Sequence, residues 1–284
     1  MSKLMLATEG GQVVQFDSVT RKYEVVFRCS AEEAMMGIEI VGNNLFVASL
    51  SRIYKLSLPS FEKICETEFY EPTPDFHQMQ FYDGLLYVTA TKNNQIWMYD
   101  ENLELQRTHQ VIPPRPRWKA KYKRNYNHIN NIIEHEGRFY INLNWLTKVQ
   151  FASSGVLVTD LDMNEIERFE FGWETHEFQF LDGRKVAICA TSSKGKRIKH
   201  PRHSGLMVDG ELVFEHDVEE AFCKGLCYDE DRIYVCGGRK VERKMRKLSS
   251  SIIYILNRHD YSLIEKYENT EIKAIKGAIH FPDQ

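Results

Sequence analysis

Residues 77–90 read HQMQFYDGLLYVTA, two extended apolar stretches joined by Asp83-Gly84. An Asp-Gly pair between alternating apolar stretches marks a two-residue β-hairpin. The phrase recurs as GIEIVGNNLFVASL from Gly37, HINNIIEHEGRFYIN from His128, HEFQFLDGRKVAICA from His176, GLCYDEDRIYVCG from Gly225 and GAIHFPDQ from Gly277. The steps run from 40 to 52 residues, the length of one four-stranded propeller blade. The copy at Gly277 stops after one strand. The N-terminus supplies three more: LMLATE (4–9), QVVQFD (12–17) and YEVVFR (23–28). The predicted fold is therefore all-β: a six-bladed β-propeller, closed by one C-terminal strand plus three N-terminal strands. Closure protects the sheet edges that would otherwise invite aggregation.

The other blades parse similarly. Blade two is expected at 77–82, 85–90, 95–99 and 103–110, and blade three at 128–134, 138–144, 154–160 and 165–170. Ala31–Met36 reads as one helical turn. One propeller domain spanning 1–284 is the expectation. With 43% hydrophobic and 12% aromatic residues, a packed core is well supplied. No run approaches 18 apolar residues, so no membrane span is expected, and MSKLMLATEGG lacks the apolar stretch of a signal peptide. The cysteines at 29, 65, 189, 223, 227 and 236 read as reduced thiols. Cys223 and Cys227 in a strand stand about 13 Å apart at roughly 3.3 Å per residue, too far to share a bond or a metal. A cytoplasmic location is the expectation.

Charge is segregated. PPRPRWKAKYKRNY (113–126), KGKRIKHPRH (194–203) and RKVERKMRK (239–247) hold 17 of the 37 Lys and Arg, with Glu242 as their one acid. In a four-stranded meander these loops share the face on which the innermost strands begin. A basic rim around one mouth would concentrate anions, and Arg117, Lys119 and Arg197 are candidate substrate-binding residues. Trp118, Tyr122 and Tyr126 interleave with basic residues in the first loop only. With no nucleic-acid-binding motif elsewhere, an anionic small molecule or glycan is favoured over nucleic acid.

His77, His128 and His176 each open a copy of the phrase and are expected at equivalent positions on one arc of the channel. Three neutral imidazoles can hold a divalent metal ion (Zn, Fe or Mn) with coordination positions open for chemistry. Metal-free acid–base work, or simple hydrogen bonding between blades, are the other readings of the same histidines. The glycines at 37, 225 and 277 would leave room for a ligand on the opposite arc. Gln78, Asn127, Asn130 and Glu177 are candidate further ligands or acid–base groups. Glu177 adjoins His176, so a regular strand points it away, and a bulge is needed to bring it in. Lys224 and Lys276 precede two of the glycines and are candidates to hold a substrate anion. His109, His135, His216 and His259 read as surface residues, and His280 lies off the register of the three. His200 and His203 fall in the second basic loop. No nucleophile elbow, P-loop, Rossmann fingerprint or H-E-x-x-H pattern is present.

The wording HINNIIEHEGRFYIN, THEFQFLDGRKVAIC and FCKGLCYDEDRIYVCGGRKVERK, followed by IKGAIHFP, resembles a family of bacterial six-bladed propellers of unknown function over about residues 125–281. The resemblance implies histidines at the starts of inner strands, here His77, His128 and His176, and no activity to transfer. A looser similarity is to metal-dependent propeller lyases that act on acidic sugars. The leading expectation is a metal-dependent enzyme, a lyase or hydrolase before a redox enzyme, acting on an anionic small molecule or glycan. The alternative is a non-catalytic ligand-binding or protein-interaction propeller.

Overall fold

The structure is a computed structural model, and it describes residues 3–29, 33–113, 127–146, 153–190 and 203–281. Six four-stranded antiparallel sheets form the blades. Blade 1 is β4 (Met35–Val41), β5 (Asn44–Ser49), β6 (Ile53–Ser57) and β7 (Lys63–Glu66). Blade 2 is β8 (Phe76–Tyr82), β9 (Leu85–Ala90), β10 (Gln95–Tyr99) and β11 (Leu105–Gln110). Blade 3 is β12 (Ile129–His135), β13 (Arg138–Leu143), β14 (Gly155–Thr159) and β15 (Glu165–Glu170). Blade 4 is β16 (Thr175–Leu181), β17 (Arg184–Cys189), β18 (Ser204–Val208) and β19 (Glu211–His216). Blade 5 is β20 (Ala221–Tyr228), β21 (Arg232–Arg239), β22 (Ser250–Asn257) and β23 (Leu263–Lys273). Blade 6 takes its inner strand from the C-terminus, β24 (Ile275–Phe281), and the rest from β1 (Lys3–Thr8), β2 (Gln12–Asp17) and β3 (Tyr23–Arg28). Leu4 pairs with His280 and Leu6 with Ala278, the expected closure. Met35 and Met36, read as part of a helical turn, belong to β4: both are buried and packed as strand residues.

The hairpins follow from their turn residues. Asp83-Gly84, Glu136-Gly137 and Asp182-Gly183 all have positive φ, the two-residue turn whose twist matches antiparallel strands. Glycine is required at the second position because a Cβ is disfavoured at that φ. Six apolar clusters lie between consecutive blades. One packs Val156 and Val158 of blade 3 on Phe178, Cys189 and Met207 of blade 4. Burying each such side chain contributes about 1.5–3 kcal/mol, so most of the core energy sits in the seams and holds the ring at fixed diameter. The inner strands contact one another in the order β4, β8, β12, β16, β20, β24 and back to β4. The six cysteines are free thiols, and among the described residues no helix is long and apolar enough to cross a membrane.

One irregularity positions the site. Every inner strand carries a register shift against its neighbouring strand near its start: between Met35 and Gly37, Phe76 and Met79, Ile129 and Asn131, His176 and Gln179, Cys223 and Gly225, and Ile275 and Gly277. A bulge breaks the alternation of side chains and re-aims them. Two consecutive residues per blade thus serve the channel.

Candidate functional site

Counted back from the hairpin turns, the first residue of each bulge pair is Met36, His77, Asn130, His176, Lys224 or Lys276. The second is Gly37, Gln78, Asn131, Glu177, Gly225 or Gly277. His77 and His176 are therefore equivalent, but His128 is not. It precedes β12 with a φ of 50°, matching Asp75 (60°) and Glu174 (44°), the residues two positions before the other two histidines. The expectation of three histidines in one register is corrected on this point. The signal was in the sequence: Gly84 and Gly183 each lie seven residues after their histidine, whereas Gly137 lies nine after His128.

The three rings nevertheless gather at one end of the channel. His77 and His128 meet edge to face, 5.2 Å between centroids, and the Trp145 ring lies tilted against His128 at 6.2 Å. His77 Nδ1 lies 3.1 Å from the Asp75 carbonyl and 2.9 Å from the Thr91 hydroxyl. Thr91 donates its own proton to the Ile129 carbonyl at 2.5 Å. Both neighbours of Nδ1 are then acceptors, so Nδ1 carries the hydrogen and Nε2 keeps the lone pair. Burial lowers the His77 pKa; Asp75 opposes the shift and Lys224 adds to it. His176 is pushed well down, by burial first, then by Lys224, His128, His77 and Arg246. Both rings are neutral at neutral pH.

Cations complete the mouth. Arg246 comes from a short 3₁₀ turn, Arg243–Leu248, within the third basic loop. Its guanidinium lies 4.5 Å from the centroid of Phe222, and the Lys276 ammonium lies 5.6 Å from the same ring. Such contacts hold a cation over an aromatic face. Lys276 is buried and forms an ion pair with Glu9. Burial pulls its ammonium down to about 8. Elsewhere in the loop, Arg239 is bound to Glu268 and the Lys240 ammonium donates to the Val218 carbonyl at 3.0 Å. Arg246, Phe222 and Glu9 were not singled out from the sequence. Arg246 looked like any other residue of a charged run, and Phe222 like any apolar strand residue.

Glu177 is brought to the channel as the bulge requires, with a φ of 53°. Its carboxyl accepts from the Gln78 amide, a bond that crosses from blade 4 to blade 2. Burial raises the Glu177 pKa well above the usual range, and the Gln78 bond only partly offsets this. The glycines do not open space for a ligand as expected. A Cβ on Gly37 would meet the His77 carbonyl at 2.2 Å and Gln78 Oε1 at 3.1 Å; one on Gly277 would meet the Met36 carbonyl at 2.4 Å and Gln78 Nε2 at 3.1 Å. The space belongs to close backbone approach and to the Gln78 side chain.

Asn130 is committed to the seam of blades 3 and 4. Its amide donates to the Thr175 carbonyl at 2.9 Å and its oxygen accepts from Asn142 at 2.7 Å. Asn127 donates to the Trp145 carbonyl at 2.8 Å. His216, read as a surface residue, is buried: Nε2 lies 2.9 Å from the Ser204 hydroxyl and the ring stacks on Tyr254. His203 pairs with Glu215 on the surface. Arg117, Lys119, Arg197 and His200 lie outside the described residues.

No family model and no curated protein matches the sequence. Solved structures do. A protein of unknown function from Bacteroides caccae is similar over 99% of both chains, with a TM-score of 0.69 and 9% identity. A chain of the nidogen/laminin complex is similar over 99% of this chain and 98% of that one, with a TM-score of 0.65 and 9% identity. The WD40 propeller domain of Doa1 is similar over 97% and 81%, with a TM-score of 0.52 and 12% identity. At these identities the likeness carries the fold, a six-bladed propeller.

Proposed function

We propose that the mouth bearing His77, His128 and His176 binds an anionic small molecule or acidic glycan, and that the imidazoles act on it as proton-transfer groups. The observation that carries this reading is a buried group of imidazoles with cations around it: His77 and His128 meet edge to face, Arg246 and Lys276 stand over Phe222, and Lys224 and Arg246 add to the burial that lowers the His176 pKa. Cations there attract an anion and keep the imidazoles neutral. Neutral His77, held by Nδ1, presents Nε2 as a base. The chemistry that fits is removal of a proton beside a carboxylate, with Lys224 stabilising the charge that develops, or hydrolysis by a water that His77 activates. Lys276 supports the mouth through Phe222 and Glu9. A non-catalytic propeller uses the same anion site without turnover.

The test is calorimetric binding of glucuronate and of inorganic phosphate at low salt. Lys224→Met and Arg246→Met should each weaken binding about tenfold, and His77→Ala should leave binding but abolish any turnover. Binding indifferent to both cation variants would sink the reading.

A divalent ion is the second reading, favoured by the gathering of three imidazoles, two of which have a lowered pKa. The fit is poor as the side chains stand. Among the described residues no three His, Cys, Asp or Glu side chains form a metal-ligand group, and Lys224 and Arg246 oppose a dication. Metal content by mass spectrometry, in wild type and His128→Ala prepared without chelator or nickel, decides it: stoichiometric metal lost in the variant supports His77, His128 and His176 as ligands. Metal-free wild type that stays metal-free after reconstitution removes the metal.

A further inference from the structure

One position recurs beside the start of the inner strands. The residue that follows the second strand of a blade donates its N–H to the carbonyl of the residue that precedes the inner strand. Thr91 donates to Asp75 at 3.1 Å, Asn144 to His128 at 3.3 Å, Ala190 to Glu174 at 3.2 Å, Lys240 to Glu220 at 2.7 Å and Glu9 to Ala274 at 2.7 Å. In two blades the side chain at this position reaches the first residue of the bulge pair. Thr91 Oγ1 lies 2.9 Å from His77 Nδ1 in blade 2, and Glu9 forms the ion pair with Lys276 in blade 6. The two contacts join equivalent positions in different blades, so the shared backbone geometry sets them.

The same position differs between the two equivalent histidines. His77 has Thr91, whereas His176 has Ala190, which brings no polar side-chain atom. Thr91 is fully buried, and its hydroxyl has a single proton to give. The Ile129 carbonyl of blade 3 stands 2.5 Å away and takes that proton. What the hydroxyl turns toward His77 is therefore a lone pair. The backbone N–H of Thr91 meanwhile fixes the Asp75 carbonyl, the second acceptor of Nδ1 at 3.1 Å. One residue thus sets both acceptors. The Asp75 carboxylate stands farther off, 3.9 Å from Nδ1.

We propose that Thr91 is a positioning residue: it holds His77 as the Nδ1–H tautomer and so makes the Nε2 lone pair the atom offered to a ligand in the mouth. A histidine's tautomer is set by the bond its other nitrogen makes, and here that bond is dictated from the next blade. The Ile129 carbonyl belongs to the residue after His128. The two rings that meet edge to face at 5.2 Å therefore share one anchor. The consequence for catalysis, that His77 is the fixed base of the mouth, rests on the proton-transfer reading above. The tautomer itself does not.

Removing the hydroxyl takes one acceptor from Nδ1 and one donor from the Ile129 carbonyl. The ring is then held at Nδ1 more weakly, and the competing Nε2–H tautomer gains population. Valine keeps the shape of threonine and removes only the oxygen. Serine keeps the oxygen and removes only the methyl group.

The test is nitrogen NMR of the imidazoles in histidine-labelled protein at neutral pH, with His77→Gln to assign the ring. Wild type should show a pyrrole-type Nδ1 and a pyridine-type Nε2 at His77. Thr91→Val should move both resonances toward their mean, and Thr91→Ser should restore them. Circular dichroism and melting curves check that the variants fold; if Thr91→Val does not, Thr91→Ala is read in its place. A wild-type ring with its hydrogen on Nε2 overturns the proposal. So do His77 resonances unmoved by loss of the hydroxyl, or a serine variant that behaves as the valine one. Where glucuronate is turned over, Thr91→Val should lower kcat several-fold with KM unchanged. Failure of the mouth to bind or turn over an anion counts against the proton-transfer reading alone, and the spectra still decide the role of Thr91.

Discussion

The two ends of one channel are chemically opposed. One end gathers His77, His128, His176, Lys224 and Arg246. The other opens into a cavity of about 290 Å³ lined by Glu39, Glu177, His280 and the amides of Gln78, Gln80, Asn131 and Gln179. Gln78 and Glu177 join across the bore between them. The same inner strands build both ends, so the difference comes from where along each strand a polar residue falls. The bulge hands two adjacent residues to the channel near one end. Normal alternation resumes beyond it and delivers residues such as Glu39 and Gln80 to the other.

The largest expected effect comes from disturbing the seam that both ends share. Gly37→Ala places a Cβ against the His77 carbonyl and the Gln78 side chain. Overpacking of this kind costs about 1–3 kcal/mol, and a fall in melting temperature together with loss of anion binding would register it. Next is the separation of the ends. Lys224→Met should lower phosphate or glucuronate affinity about tenfold, and Glu39→Gln should spare it. If Glu39→Gln weakens anion binding as much as Lys224→Met does, the two ends are one site.

Smaller effects lie in pH. His176 has a lowered pKa in the folded chain, so its contribution to stability is present above about 6.5, its ordinary value, and is lost as pH falls. Glu39 has a raised pKa, so its contribution is present below about 4.5 and is lost as pH rises through about 7. Melting curves should therefore show His176→Gln flattening the acid limb and Glu39→Gln gaining stability over wild type at pH 8 but not at pH 5. The smallest effect is expected from Gln78→Leu. It removes the donor from a Glu177 carboxyl that burial favours in the protonated form, so the loss is that of one hydrogen bond, about 0.5–1.5 kcal/mol, read as a modest drop in melting temperature.

The ring was legible because its signals are local and repeated. Asp83-Gly84, Asp182-Gly183 and Gly42-Asn43 mark hairpins, and flanking alternation sets the strands, so most predicted bounds lie within two residues of those observed. The gathering of His77, His128 and His176 was legible from their place at the strand starts. Their register was not, because aligning phrases by first letter ignores the bulge. Counting back from Gly137 instead pairs Asn130 with the two equivalent histidines. Arg246 and Glu39 were hidden for opposite reasons. Arg246 acts through a tertiary contact with Phe222 that no spacing encodes, and Glu39 sits at an ordinary alternating position, where only the enclosure of the channel makes its charge unusual.

In a closed array of blades each unit touches its two neighbours, and a disturbance at one blade travels around the rim. The Gln78–Glu177 bond is a chord across that ring. It ties blade 2 to blade 4 without passing through blade 3. A load applied to blade 2 is thereby shared with blade 4 directly, and one cross-bore tie is added to the width that the six seams set.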